Sequence, residues 1–406
     1  MRVGMVSEHA SPLAALGGVD AGGQNVHVAA LAGALAERGH DVVVYTRRDS
    51  PDLPERVLLD AGVTVEHLDA GPPRPVPKDA LLPHVPQLTA DLDRRLRNFL
   101  PEVVHAHFWM SGLAAVEAAS RLSVPVVQTF HALGSVKRRL QGASDTSPAR
   151  RLRLEGEVAQ RVERILASCS DEVHELVRMG AGRERIDVVP SGVDRTRFRP
   201  EGPVASRSAM HRLVVIGRLV PRKGVDDAIR ALRWLPDTEL VVVGGPDAAA
   251  LAADPEARRL RKLAEATQVG DRVRFYGRVA HTDLPALIRS ADVVVCLPWY
   301  EPFGIVPLEA MACGVPVVGS AVGGLLDTVV PGVTGVLLPP HQPKAAARAI
   351  RSLLDNDSRR RRYGRAGSDR SNLYSWDRIA ELTELSYQRA VTAADRDSLA
   401  MTETAR

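Results

Sequence analysis

A chain of 406 residues that is 45% hydrophobic and 25% charged has ordinary globular composition and is too long for one compact core, so two domains are expected. Its formal charge of +4 is a small surplus of 53 basic over 49 acidic side chains, which disfavours nucleic acid as a partner. Cys169, Cys296 and Cys313 lack CxxC spacing; they argue against a disulfide framework or a zinc knuckle and fit free thiols in a reducing compartment.

The chain opens on a short apolar run, Arg2 to Val6, that Ser7, Glu8 and His9 interrupt before it reaches the length of a signal-peptide core. No stretch approaches the roughly 18 uninterrupted apolar residues of a membrane span. A cytoplasmic protein is expected, with no span and at most peripheral membrane contact. Short β-branched runs predict buried parallel strands at Val42–Tyr45, Val103–Ala106, Val124–Gln128, Leu213–Ile216, Leu240–Val243 and Val293–Cys296. Helical spacing between them predicts helices over Val26–Glu37, Leu113–Arg121, Ala228–Leu235, Ala257–Ala266 and Ala345–Leu354. This alternation is that of α/β units with right-handed crossovers.

Turn formers and prolines replace the periodicity from Val189 to Val204, and the interdomain linker is placed there. The expected division is 1–200, then 201–374, then a closing amphipathic helix over 375–406 that returns toward the first domain and frays from Ala393. Two doubly wound domains carry their binding loops at strand carboxyl ends, so a ligand cleft between them is expected.

Three segments stand out. The Gly-rich turn from Gly17 to Asn25, including Gly22, Gly23 and Gln24, precedes a helix start and suits a phosphate, although a plain tight turn has the same composition. It lacks the GxGxxG spacing and the following acidic residue of a dinucleotide site, which disfavours an NAD dehydrogenase, the outsider among the readings. Gly217-Arg218 with Arg222 and Lys223, at the end of a strand, forms a natural diphosphate clamp. The most specific segment runs from Trp299 to Gly314: Glu301 on a loop and Glu309 in a short helix suit sugar hydroxyls, and the amides of Phe303, Gly304 and Ile305 suit phosphate or hydroxyl oxygens. His105 and His107 share one strand face, but no third ligand is evident, so no metal is expected; His131 at a strand end is read as a ligand contact. Of the basic runs, Arg359–Arg362 reads as a solvated face, whereas Lys137–Arg139 with Arg150, Arg151 and Arg153 fits an anionic acceptor, headgroups or plain surface.

Gly-Gly-Gln-Asn near the start, His105 to Gly112, Gln128 to His131, Val189 to Asp194, Gly217-Arg218 with Lys223, and the Glu301/Glu309 pair follow one another in a recognisable order. The constellation resembles the retaining nucleotide-sugar glycosyltransferase family four, of GT-B architecture, with two Rossmann-like domains facing across a cleft. The first half looks most like the branch holding the mycothiol-pathway enzymes and the sucrose and sucrose-phosphate synthases. The resemblance implies that the Gly23 amide, Arg218 and Lys223 hold the donor diphosphate and that Glu309 binds the ribose. It further implies that Glu301 and His131 contact the donor sugar, and that the Tyr276-Gly277-Arg278 turn flanks the base. On the acceptor side it implies Gln24, Asn25, Lys78, His107 and Phe108. It implies no metal and no cofactor, and it favours a UDP-sugar donor, with GDP-mannose and other activated hexoses or heptoses left open. A 2-epimerase-like enzyme and a non-catalytic sugar-nucleotide binder are the competing readings. Phe108 and Ala132 replace a Tyr and a Thr of the mycothiol-type enzymes, which removes two hydroxyls from the acceptor side and argues for an acceptor other than inositol phosphate.

Overall fold

The computed structural model describes residues 1–14, 22–59 and 62–404, with side chains through 396; Gly17 to Ala21 of the expected phosphate turn lie outside the described residues. Contacts divide the chain into two units, one holding residues 1–14 and 22–190 with the closing helix Trp376–Thr404, the other Ser191–Ser375.

The first unit is built on an eight-stranded sheet. Its strands are β1 (Arg2–Val6), β2 (Asp41–Arg47), β3 (Arg56–Leu58), β4 (Thr64–Leu68), β5 (Val103–His107), β6 (Val126–Thr129), β7 (Arg164–Ala167) and β8 (Ile186–Val188). They lie in the order β3-β4-β2-β1-β5-β6-β7-β8, parallel except for β3 against β4. The second unit carries β9 (His211–Ile216), β10 (Thr238–Val243), β11 (Val273–Gly277), β12 (Val293–Cys296), β13 (Val317–Ser320) and β14 (Gly335–Leu338), in the order β11-β10-β9-β12-β13-β14.

Apolar runs become central strands here because both faces are covered. Leu213 and Val215 of β9 pack into one core cluster and Val214 into another; Leu240 and Val242 of β10 divide from Val241 and Val243 in the same way. Alternate side chains thus enter two helix layers, which is why these strands read as continuous hydrophobic runs.

Four details differ from the sequence expectation. Strands β3, β4, β7, β8, β11 and β14 were not foreseen, because each is short or carries charged residues such as Arg56, Glu66, Arg164 and Asp187. Residues 191–200, expected in the first domain, belong to the second unit: Val193 N donates to Tyr374 O, and Phe198 is buried in that unit's core. The first helix begins at Gly23, three residues before Val26. The closing helix continues past Ala393 to Thr404, and Ile379, Ala380, Tyr387 and Ala390 bury one of its faces in the core of the first unit.

Candidate functional site

Among the parallel strands of each sheet the order reverses once, at β1 between β2 and β5 and at β9 between β10 and β12. Chains leaving two adjacent strands at such a point diverge to opposite faces and open a crevice at the carboxyl ends. Several of the residues singled out in the sequence follow strands beside those two points, whereas Tyr276 and Arg278 lie at the edge strand β11.

In the first unit, β1 leads to Ser7 and Glu8, β5 ends at His107, and His131 follows β6. Gln24 donates to Ser7 Oγ at 3.2 Å and to the His107 carbonyl at 3.4 Å, which ties the first helix to the end of β5. The His107 Nδ1 and His131 Nε2 atoms are 2.9 Å apart, and His131 adopts φ +59°, a left-handed conformation rarely taken by a non-glycine residue and concentrated at functional sites. Phe108 also has positive φ, +78°; it is buried beneath His9 and the Arg151 guanidinium.

The sequence pairs His105 with His107 and offers no third ligand; the fold instead gathers His107 with His131 and His27. His27, one turn into the helix Gly23–Glu37, brings a ring nitrogen to within 4.8 Å of ring nitrogens of His107 and His131. Among the described residues this is the one donor set able to hold a metal ion, of the borderline type that imidazoles prefer. Its signal was present as a histidine four residues after Gly23 on a helix start. Burial lowers His27 to about 4 and drives His107 and His131 well below the ordinary histidine value, with repulsion from neighbouring imidazoles, His27 and His105 among them, adding to the effect on the latter two. The cluster is therefore neutral at neutral pH. His105 is a core residue, with Nδ1 2.7 Å from the Tyr387 hydroxyl and Nε2 2.9 Å from Thr129 Oγ1.

Two acceptor-side expectations meet a different use. Asn25 is buried and committed to its own turn: its Nδ2 donates to Ser11 O at 2.8 Å and its Oδ1 accepts from Gly22 N at 3.0 Å. Four cations of the basic segment after His131 are paired with carboxylates, Arg151 with Glu155, Lys137 with Asp79 and Asp145, Arg139 with Glu175, and Arg153 with Glu157. Lys78 sits in the short turn Lys78–Ala80, next to Asp79.

In the second unit Lys223 and Glu301 form an ion pair. Burial acts to raise the Glu301 carboxyl, but the charges of Lys223, Arg222 and Arg218 outweigh it and hold the group below its ordinary value. Glu309, in the second turn of the helix Ile305–Ala312, is 5% exposed. Lys223, Glu301 and Glu309 all lie near enough to Cys296, at the end of β12, for their charges to act on its thiol. Burial raises Cys296 and Cys313 to about 12, so neither thiol is a nucleophile. Phe303 is buried in the core, while Gly304 caps the helix and Ile305 begins it, leaving first-turn amides for an anion. Gly323 and Gly324 form the seat beneath this loop: Gly324 N donates to Glu301 O at 3.1 Å, and a side chain on Gly324 would collide with the Phe303 backbone. That seat was missed in the sequence, although a glycine pair just after a strand end was its signal.

Tyr276 lies in the edge strand β11 and Arg278 just follows it, two strands away from β9; Tyr276 is exposed and Arg278 Nε lies 3.3 Å from Asp247 Oδ1. Gly224, which ends the cationic turn at φ +66°, packs against β12 so closely that a Cβ would overlap the Leu297 carbonyl oxygen. Gly224→Ala is accordingly expected to cost at least about 3 kcal/mol of stability, combining left-handed strain with backbone overlap. Urea denaturation of the variant measures it, and a loss under about 1 kcal/mol would contradict this geometry.

Comparison with known proteins gives the family. Residues 204–370 match the family model described as glycosyl transferases group 1, and residues 21–197 match that of glycosyltransferase family 4. A D-inositol 3-phosphate glycosyltransferase of Acidothermus cellulolyticus is 37% identical, over 100% of this chain and 92% of that protein. One from Catenulispora acidiphila is 39% identical, over 88% of each chain. Among solved structures, sucrose-phosphate synthase from Thermosynechococcus elongatus superposes with a TM-score of 0.88 at 31% identity, covering 97% of this chain and 99% of that one. Anabaena HepE has the same fold, with a TM-score of 0.74 at 19% identity over 96% of this chain and 100% of that one. With both halves of the chain matched in order and the paired parallel sheets in place, the chain belongs to glycosyltransferase family four and is a glycosyltransferase of GT-B architecture that uses a nucleotide-sugar donor.

Proposed function

We propose that the protein is a retaining hexosyltransferase that moves a sugar from a nucleoside-diphosphate sugar, UDP-linked by preference, to an acceptor hydroxyl in the cytoplasm without a metal. The observation that carries the reading is the convergence of Lys223, Glu301 and Glu309 at the reversal point of the second sheet, with Arg218 near enough to act on Glu301. As the bond from the anomeric carbon to the phosphate oxygen breaks, negative charge grows on the diphosphate, where Arg218 and Lys223 stabilise it. Fixed charges do this without the reorganisation that solvent would need. Glu301 takes sugar hydroxyls and Glu309 the ribose. The neutral His131 offers a hydrogen bond to the sugar. The acceptor oxygen bonds to the anomeric carbon on the departing face, and its proton passes to the released phosphate oxygen, so no separate base is required.

Phe108 and Ala132 offer no hydroxyl to an acceptor phosphate, and most of the nearby cations are already paired with carboxylates. We therefore propose an acceptor other than the inositol phosphate named for the relatives. The test is product release from UDP-glucose, UDP-N-acetylglucosamine and GDP-mannose against a panel of polyols, aminocyclitols, sugar phosphates and lipid-linked glycans, with and without chelator. Nucleoside diphosphate is expected only when acceptor is present, at a rate unchanged by EDTA, and with inositol phosphate among the poor acceptors. Acceptor-independent conversion of the donor sugar would indicate an epimerase, binding without turnover a non-catalytic binder, and EDTA-sensitive activity restored by zinc a role for the three imidazoles.

A further inference from the structure

Glu309 is held by a second residue that neither its motif nor its helix contains. His281, in the turn between β11 and the helix Leu284–Arg289, places Nε2 2.9 Å from Glu309 Oε1, and Arg197 Nη1 lies 2.6 Å from its Nδ1. A guanidinium only donates, so Nδ1 accepts and the ring proton sits on Nε2, which donates to the carboxylate. The neighbours thus select the tautomer. Arg197 is fixed in turn by Asp194, whose Oδ1 accepts from the backbone nitrogens of Thr196 and Arg197 at 2.9 and 3.1 Å and from the Thr196 hydroxyl at 2.6 Å. The Phe198 ring packs against the imidazole with centroids 5.0 Å apart, which restrains its rotation.

We propose that His281 is a positioning residue for the nucleotide: it engages Oε1 of Glu309 and so directs Oε2 at a ribose hydroxyl. The inference rests on the reading of Glu309 as the ribose ligand. A carboxylate that is 5% exposed and has lost its charge-assisted donor would turn toward other donors and present its second oxygen less accurately. The effect falls on donor binding and leaves the anomeric chemistry, served by Arg218 and Lys223, largely untouched.

The experiment is calorimetric titration of the full chain with UDP, GDP and ADP, each beside its 2′-deoxy and 3′-deoxy analogue, for wild type, Glu309→Gln, His281→Leu and His281→Gln, with donor KM and kcat measured in parallel. Wild type is expected to prefer one ribonucleotide over a deoxy analogue by about tenfold, the weight of one hydrogen bond to a charged group. Glu309→Gln and His281→Leu both lose most of that preference. His281→Leu raises donor KM about tenfold with kcat within about threefold of wild type. His281→Gln recovers most of the preference, because its amide N–H can donate to Glu309 while its carbonyl accepts from Arg197. Full discrimination retained in His281→Leu while Glu309→Gln loses it overturns the inference alone, as does failure of His281→Gln to recover the preference. Full discrimination retained in Glu309→Gln, or no nucleotide bound by wild type, overturns the ribose assignment itself and the inference with it.

Discussion

Neutralising both cations of the turn after β9, as Arg218→Leu with Lys223→Met, is expected to lower kcat by about ten-thousandfold, since each preorganised group facing developing charge contributes on the order of a hundredfold or more. The two act on one diphosphate, so each single substitution is expected to cost more than half of the combined logarithmic loss. Stability must be separated from chemistry, because Lys223 is paired with Glu301, whose side chain is only 14% exposed. Lys223→Met alone strands that carboxylate, raises its pKa and lowers Tm. Lys223→Met with Glu301→Gln removes both charges and is expected to regain most of the Tm while remaining inactive. Steady-state release of nucleoside diphosphate, beside thermal melts of the same preparations, reads both quantities. Retention of more than about a tenth of wild-type kcat in the doubly neutralised enzyme would remove the electrostatic mechanism.

The same pair shows how far the sequence reaches. Lys223 and Glu301 are 78 residues apart, yet both were legible because each follows a β-branched run and so must sit at a strand's carboxyl end. What the runs did not reveal was side-chain direction. Asn25 read as a ligand because it borders a Gly-rich turn, and it is instead consumed by capping that turn, a choice set by the Ser11 carbonyl from another part of the chain. His27 and His281 were overlooked because no local pattern distinguishes a histidine that faces a site from one on a helix flank or a surface turn. Their partners, His107 and His131 in one case and Glu309 and Arg197 in the other, come from separate strands and helices. The short strands β7 and β8 escaped for a related reason: Arg164 and Asp187 interrupt their apolar pattern, and the pair is satisfied only when the strands lie side by side.

Acidification is expected to destabilise the first unit through its buried imidazoles. An unfolded histidine titrates near 6.5, whereas burial lowers His27 to about 4 and His105 to about 3 in the folded chain, with the charge of His27 adding to the effect on His105. Between those values the unfolded state binds the extra protons, so the stability these groups confer is complete above about pH 6.5 and is lost as pH falls toward their folded values. Each of the two is expected to withdraw about 2 kcal/mol by about pH 5, and His107 and His131, shifted the same way, add to the loss. The buried carboxyls of Glu155 and Glu172 are raised by desolvation and act in the opposite sense, since the folded chain takes up their protons first. His27→Phe isolates the imidazole contribution: it removes one titrating group while keeping an aromatic ring beside Trp376. Urea denaturation at pH values from about 5 to about 8 should show wild type losing stability steeply on the acid side and His27→Phe losing about 2 kcal/mol less. Parallel curves for the two proteins would mean that His27 titrates normally in the folded state, and the neutral cluster on which His131 depends would no longer stand.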